Sequence, residues 1–368
     1  MHHDSLRVPK LLKESSFESV KKTIECLKRL IEVEPWTDLE ELIALIHQRS
    51  KIYAASAAEA TPVIHVCLRI IKIAREEALK ELLGENAEFE ENSTNRLFAS
   101  GDVKYEKVKK SALIDGILSS IEEFSLDMVS CSENVSDLSL DFIHSDELIL
   151  TTGFSRAAYH FLRRAAEKKR VFKVVVCETY PDKLGHKCAD LLSNAGISVI
   201  LVPDSHVFAL MSRVDKVIIG CRAVFPNGTI KTTVGTHSIL LAARHFSIPT
   251  YVCLPQYKLS PVPLSISSSA LPSFTVLPTA DPSSSSADWF DSPSKLLQPN
   301  DLSLSTDILA TRSPSTGPVV WMPRWEHVPP GLVSLFLTNL GSHAPSYLYA
   351  LGHELFHPLD IQLAASTD

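Results

Sequence analysis

Between Glu147 and Pro261 the apolar residues abandon helical spacing and gather in short runs rich in Val and Ile. These are Leu148 to Thr151, Val171 to Cys177, Ile197 to Val202, Lys216 to Gly220 and Thr250 to Cys253, with helical segments between them. Strands joined through helices pair in parallel, because a parallel connection has to cross the sheet and a helix makes that crossing. Runs that are apolar throughout, rather than alternating, require cover on both faces of the sheet. Ligands of such sheets gather at the carboxyl ends of the strands, here Thr152 to Arg156, Glu178 to His186, Pro203 to His206 and Cys221 to Asn227.

Before this block the period is helical. Phe17, Val20, Ile24, Leu27 and Ile31 share one helical face, and Thr37 with Glu40 forms a capping box ahead of Leu39, Leu42, Ile43 and Ile46. A third helix has Thr61 at its cap, Pro62 at its first position and a stripe of Val63, Val66, Cys67, Ile70, Ile71 and Ala74, ending at Gly84. An acidic, polar excursion from Glu85 to Gly101 precedes a fourth helix, from about Ser111 to Met128. The expected class is therefore α/β. An N-terminal helical domain (1–128) leads into a Rossmann-like parallel sheet domain with crossover helices (129–260 and 319–368). Residues 261–318, rich in Ser and Pro, read as a disordered insertion, and Leu332 to Leu355 as a strand or helical turn with a closing helix.

Several function classes lose support at this level. No apolar run reaches the roughly 18 residues of a membrane-spanning helix, and the N-terminus has no basic start and apolar stretch of a secretory signal, so a cytosolic protein is expected. The seven cysteines include no Cys-x-x-Cys pair, which argues against a disulfide framework or a zinc ribbon. A net charge of -7 offers no basic stripe for nucleic acid, and a protein partner is expected instead.

His353-Glu354-Leu355-Phe356-His357 matches the zinc-protease pattern, in which two histidines one helical turn apart hold the metal. Pro358 interrupts that helix at once, so the expectation is a closing helix and no metal site. Gly153-Phe154-Ser155-Arg156 follows a strand and opens a helix, where free N–H groups and Arg156 attract a phosphate or carboxylate. It lacks the further glycines of a dinucleotide fingerprint, and no cofactor is expected. His237 with Ser238 and Asp215 makes a poor triad, because adjacent helical residues do not face each other.

More specific are Ile149-Leu150-Thr151-Thr152-Gly153-Phe154-Ser155-Arg156, Val214 to Gly220, Val234-Gly235-Thr236-His237 and Tyr257-Lys258-Leu259-Ser260-Pro261, followed by Val328-Pro329-Pro330, Asn339-Leu340-Gly341, Ala344 to Tyr349 and His357-Pro358. These runs resemble the alpha, beta and delta regulatory-subunit family of eukaryotic translation initiation factor 2B, in its beta branch. The resemblance covers most of the chain from Glu147 on, apart from the insertion. It implies a fold shared with the isomerases of methylthioribose-1-phosphate and ribose-1,5-bisphosphate. Those enzymes use a cysteine just after the first sheet strand and an aspartate after a Gly-Ala pair as acid and base. This chain has Gly153 and Arg222 there, and Thr232-Thr233 in place of a phosphate-contacting Asn-Lys pair, while Lys258 remains. Glycine has no side chain and guanidinium does not deprotonate, so isomerase activity is disfavoured.

The resemblance implies a non-catalytic regulatory subunit of the guanine-nucleotide exchange complex for translation initiation factor 2. Its partners would be the delta, alpha, gamma and epsilon subunits and the factor itself, whose alpha-subunit phosphorylation it would sense. Gly153, Ser155, Arg156, Arg222 and Lys258 would remain as a vestigial anion pocket. The alternative is a sugar-phosphate isomerase with its acid and base moved, for example to Cys221 and Asp215.

Overall fold

The computed structural model describes residues 15–56, 60–83, 110–262, 295 and 322–365. Helices α1 (Ser16–Val33), α2 (Leu39–Ser56), α3 (Ala60–Leu83) and α4 (Lys110–Asp137) come first. Val20, Ile24, Leu27 and Ile31 of α1 are buried, as their spacing requires, and the Ser15 hydroxyl caps the helix by accepting the Glu18 N–H at 3.3 Å. At α2 Thr37 donates to Glu41, not to the expected Glu40, and among the described residues no reciprocal capping bond returns to its hydroxyl. With Leu39 as the first helical residue, Glu41 holds the third position and accepts from the Thr37 N–H at 2.8 Å and hydroxyl at 3.0 Å. Helix α3 begins at Ala60, which puts Pro62 inside its first turn. Helix α4 runs past Met128 because buried Cys131 and Val135 continue its apolar stripe.

The chain continues through α5 (Ser139–Phe142), β1 (Leu148–Thr152), α6 (Arg156–Glu167), β2 (Lys173–Cys177), α7 (Leu184–Asn194), β3 (Ser198–Val202), α8 (Val207–Met211), β4 (Lys216–Gly220), β5 (Ala223–Val224), β6 (Ile230–Thr233), α9 (Thr236–His245) and β7 (Thr250–Cys253). Past the region expected as an insertion come β8 (Trp325–Val328), β9 (Leu335–Thr338), β10 (Gly341–His343), α10 (Leu348–Leu355) and α11 (Pro358–Ala365). That region, 261–318, lies outside the described residues except at 261, 262 and 295. The excursion from Glu85 to Gly101 lies outside them as well.

Seven strands form the main sheet in the order β10, β9, β7, β4, β1, β2, β3. Every neighbouring pair is parallel except the antiparallel β9/β10 hairpin. The chain enters at β1, proceeds outward to β2 and β3, then returns to the other side of β1 with β4, β7 and β9. That reversal leaves a crevice between β1 and β4 at their carboxyl ends. One face carries Val174, Val176 and Ile218 against Phe161 and Leu162 of α6. The opposite face, with Leu150, Val175, Val217 and Val252, belongs to one continuous core with the buried residues of α1 to α4.

A second sheet, β5, β6, β8, is antiparallel and was not expected from sequence. Its strands are two to four residues long and β6 finds its partner across the whole 261–318 segment, so no local periodicity reports it. The two halves of the chain are tied along α3. His65 Nδ1 lies 3.0 Å from the Leu259 carbonyl, Arg69 donates to the Leu355 carbonyl at 2.8 Å, and Lys72 donates to the Glu354 carbonyl. Cations at those carbonyls meet the negative end of α10.

The same junction disposes of the zinc pattern. Helix α10 ends at Leu355 and Phe356 is extended (φ -125°, ψ 154°), so His353 and His357 do not stand one turn apart on a single helix. His353 packs on the Tyr349 ring at 4.5 Å, and Glu354 accepts from the Tyr347 hydroxyl at 3.0 Å. Among the described residues no helix is long and apolar enough to cross a membrane.

Candidate functional site

A cavity of about 330 Å³ opens at the β1/β4 crevice. Thr152, Phe154, Ser155 and Arg156 reach it from the end of β1, Gly220, Cys221 and Arg222 from the end of β4, and Tyr257 and Lys258 from the turn after β7. Thr232 and Thr233 of β6 and Trp325 of β8 supply a wall from the second sheet, while Lys187 of α7 and Ser15, Ser16 and Phe17 close the rim.

Of the residues expected at an anion pocket, Ser155, Arg156, Arg222 and Lys258 line this cavity together. Gly153 does not line it, although both its neighbours do. Its φ of +62° is open to glycine at little cost, and a Cβ there would face the Thr179 hydroxyl at 3.7 Å and the Thr233 hydroxyl at 3.8 Å. Lys187, Phe17 and Trp325 were not anticipated. They arrive from α7, α1 and β8, and only folding brings those segments to the crevice.

The lining holds Arg156, Lys187, Arg222 and Lys258 and no carboxylate. Aromatic faces and a carbonyl hold these cations. The Arg156 guanidinium lies 5.8 Å from the centre of the Phe17 ring, Lys187 Nζ 4.8 Å from that of Phe154, and Arg222 4.8 Å from that of Trp325. Lys258 Nζ donates to the Cys221 carbonyl at 2.8 Å. Ser155, the residue before α6, makes no side-chain capping bond, and its buried Oγ has no hydrogen-bond partner among the described residues. A hydroxyl awaiting a partner, the start of a helix and four cations together suit an oxyanion. Burial pushes the Tyr257 phenol up to about 12, so it stays protonated at neutral pH.

The turn from β1 into α6 depends on Gly220. A Cβ added there would stand 1.9 Å from Ser155 Oγ and 2.2 Å from Ser155 Cβ. Gly220→Ala is expected to destabilise the chain by about 1–3 kcal/mol through overpacking, measured by urea unfolding. Wild-type stability in that variant would mean that the Ser155 turn moves aside freely.

Neither alternative catalytic arrangement is assembled. Asp215 accepts the Leu148 N–H at 2.8 Å at the amino edge of the sheet. Cys221 lies at the carboxyl edge, so six residue steps along β4 separate the two by roughly 20 Å. The proposed relocation of acid and base to Cys221 and Asp215 therefore fails on distance. The same engagement of Asp215 with β1 agrees with the reading that His237, Ser238 and Asp215 form no triad.

At the start of α9, Gly235 adopts φ +98° and offers no side chain as a cap. The carboxylate of Glu326 fills that role by accepting the backbone N–H of His237, and the N–H groups of Gly235 and Thr236 beside it also favour its charged form. Burial pushes the Glu326 carboxyl above its ordinary range, and these bonds offset part of the rise.

The model of the initiation factor 2 subunit family (IF-2B) matches residues 14–345. The chain belongs to this family. Among its relatives, translation initiation factor eIF2B subunit beta of Dictyostelium discoideum is 38% identical over 252 residues, covering 68% of this chain and 57% of the relative. The chain thus spans a little over half the length of the curated relatives it matches. The tetrameric eIF2B-beta2-delta2 complex from C. thermophilum supplies a similar fold, with a TM-score of 0.64 at 20% identity over 94% of this chain and 90% of that one. The 5-methylthioribose 1-phosphate isomerase of Pyrococcus horikoshii OT3 shares the fold at a TM-score of 0.53 and 16% identity, over 93% of this chain and 83% of the other. These two likenesses concern the fold alone.

Proposed function

We propose that this chain is a non-catalytic regulatory subunit of the guanine-nucleotide exchange complex that acts on translation initiation factor 2. One observation carries the reading. The cavity is lined by Arg156, Lys187, Arg222 and Lys258, while by resemblance Gly153 and Arg222 stand where the related isomerases hold their acid and base. Neither can exchange a proton at neutral pH. The likeness to beta subunits, and to the eIF2B-beta2-delta2 complex, supports assembly with a delta-like subunit. The same reading adds alpha, gamma and epsilon subunits, contact with initiation factor 2 and sensitivity to phosphorylation of that factor's alpha subunit. It places the work in the cytosol, with no cofactor, and leaves Ser155, Arg156, Arg222 and Lys258 as a vestigial anion pocket, with Gly153 just outside its lining.

Native mass measurement of the assembly purified from cells, with its subunits identified, tests the reading. A delta-like subunit and initiation factor 2 are expected to co-purify. Recovery of the chain without either would count against it. The isomerase alternative is tested on the purified chain with methylthioribose-1-phosphate and ribose-1,5-bisphosphate. Turnover of either substrate would sink the non-catalytic reading.

A further inference from the structure

Glu326 belongs to neither the cavity lining nor any motif singled out in the sequence, yet its carboxylate accepts the His237 N–H and lies beside those of Gly235 and Thr236, the successive N–H groups that open α9. Such a run of N–H groups at a helix start, with a left-handed glycine before it, is the arrangement that ordinarily receives a phosphate or carboxylate. Here the chain supplies the anion itself. Glu326 also faces Thr232 across the β6/β8 ladder, and Thr232 lines the cavity. Side chains of directly opposed strand residues lie on the same face with Cβ atoms about 5 Å apart. The Glu326 charge therefore stands beside the cationic cavity without entering it.

We infer that Glu326 is a specificity-determining residue for the cavity, whose fixed carboxylate beside the Thr232 wall weakens oxyanion binding. This inference rests on reading the cavity as an anion pocket. With Glu326 in place, an external oxyanion is left to the start of α6 and to Arg156, Arg222, Lys187 and Lys258. It also meets the repulsion of a fixed negative charge. At about 10 Å and an effective permittivity on the order of 40, one unit charge changes the affinity for a singly charged anion roughly fourfold. A residue that merely held β8 against α9 would have the opposite effect, because its loss would loosen the wall carrying Trp325 and weaken binding.

The test is the dissociation constant for inorganic phosphate, measured by calorimetry on the full-length chain at low and high salt. Glu326→Gln removes the charge and keeps an acceptor, and is expected to bind phosphate roughly fourfold tighter, with the difference shrinking in high salt. Glu326→Asp keeps the charge and is expected to match the wild type. Should the amide variant not fold, Glu326→Ser removes the charge with a smaller side chain that still carries an acceptor. Unchanged or weaker binding in the uncharged variants, with wild-type binding intact, overturns the role of Glu326. Absence of phosphate binding in the wild type and every variant overturns the cavity reading, and this inference with it.

Discussion

Replacing Asp360 with alanine is expected to destabilise the chain by about 3–5 kcal/mol, the usual effect of removing one partner from a buried ion pair. Asp360 on α11 is fully buried and accepts from Arg75 of α3 through both oxygens, at 2.8 Å and 3.1 Å. His47 Nε2 lies 3.8 Å from the same carboxylate. Burial by itself would push the Asp360 carboxyl up, and the nearby His47 together with the two hydrogen bonds and the charge of Arg75 outweighs it, holding the group below the ordinary carboxylate range. Without the carboxylate, the Arg75 guanidinium keeps its desolvation and loses its bidentate acceptor. The measurement is urea unfolding of the purified chain. The double variant Arg75→Met with Asp360→Leu should recover much of the loss, since the exposed cost lies in a stranded charge rather than in a missing attraction. A single variant within about 1 kcal/mol of wild type would show that the α3/α11 contact contributes little.

Acidification is expected to weaken the fold over the range where unfolded histidine gains its proton and buried histidine does not. Burial lowers His65 to about 3 from 6.5, with only the Leu259 carbonyl bond opposing the shift. Between those values the unfolded chain binds a proton that the folded chain refuses, so stability falls as pH falls. His65 alone should remove about 2 kcal/mol between pH 7 and pH 5, at about 1.4 kcal/mol per unit below its unfolded pKa. His327, lowered by burial to about 4, adds a slope of the same sign. Glu326 opposes both, because its raised folded pKa favours the protonated fold. Asp360 adds its loss only as pH falls through its depressed folded value. Urea unfolding at a series of pH values reads the slope. His65→Asn keeps an amide donor where Nδ1 stands and does not titrate, so its slope between pH 7 and 5 should be flatter. An unchanged slope would remove His65 as the cause.

Much of the secondary structure was legible because its signals are local. The stripe from Val63 to Ala74 is a helix for reasons contained within its own turns, and Val174 to Cys177 or Val217 to Ile219 are buried strands by their unbroken apolarity. The errors fall where the deciding partner is distant. Val171 reads as strand by composition but is 70% exposed ahead of β2, which starts at Lys173. The capping residue of α2 is Glu41 rather than Glu40 because the helix start shifts by one position. His353 and His357 match a five-residue pattern, yet Phe356 leaves the helix between them.

At the cavity, sequence by itself determined the α/β class, the strand ends that form the crevice, and the residues Ser155, Arg156, Arg222 and Lys258 that a family resemblance marked there. Tertiary structure alone decided that Lys187, Phe17 and Trp325 join them, that Gly153 stands just outside the lining, and that Glu326 closes α9. The reason is physical. Helix and strand periods follow from hydrogen bonding and burial within a few residues. A cavity is made by side chains whose strands and helices meet only after the sheet order has been chosen, and that order follows from packing energies summed over the whole chain.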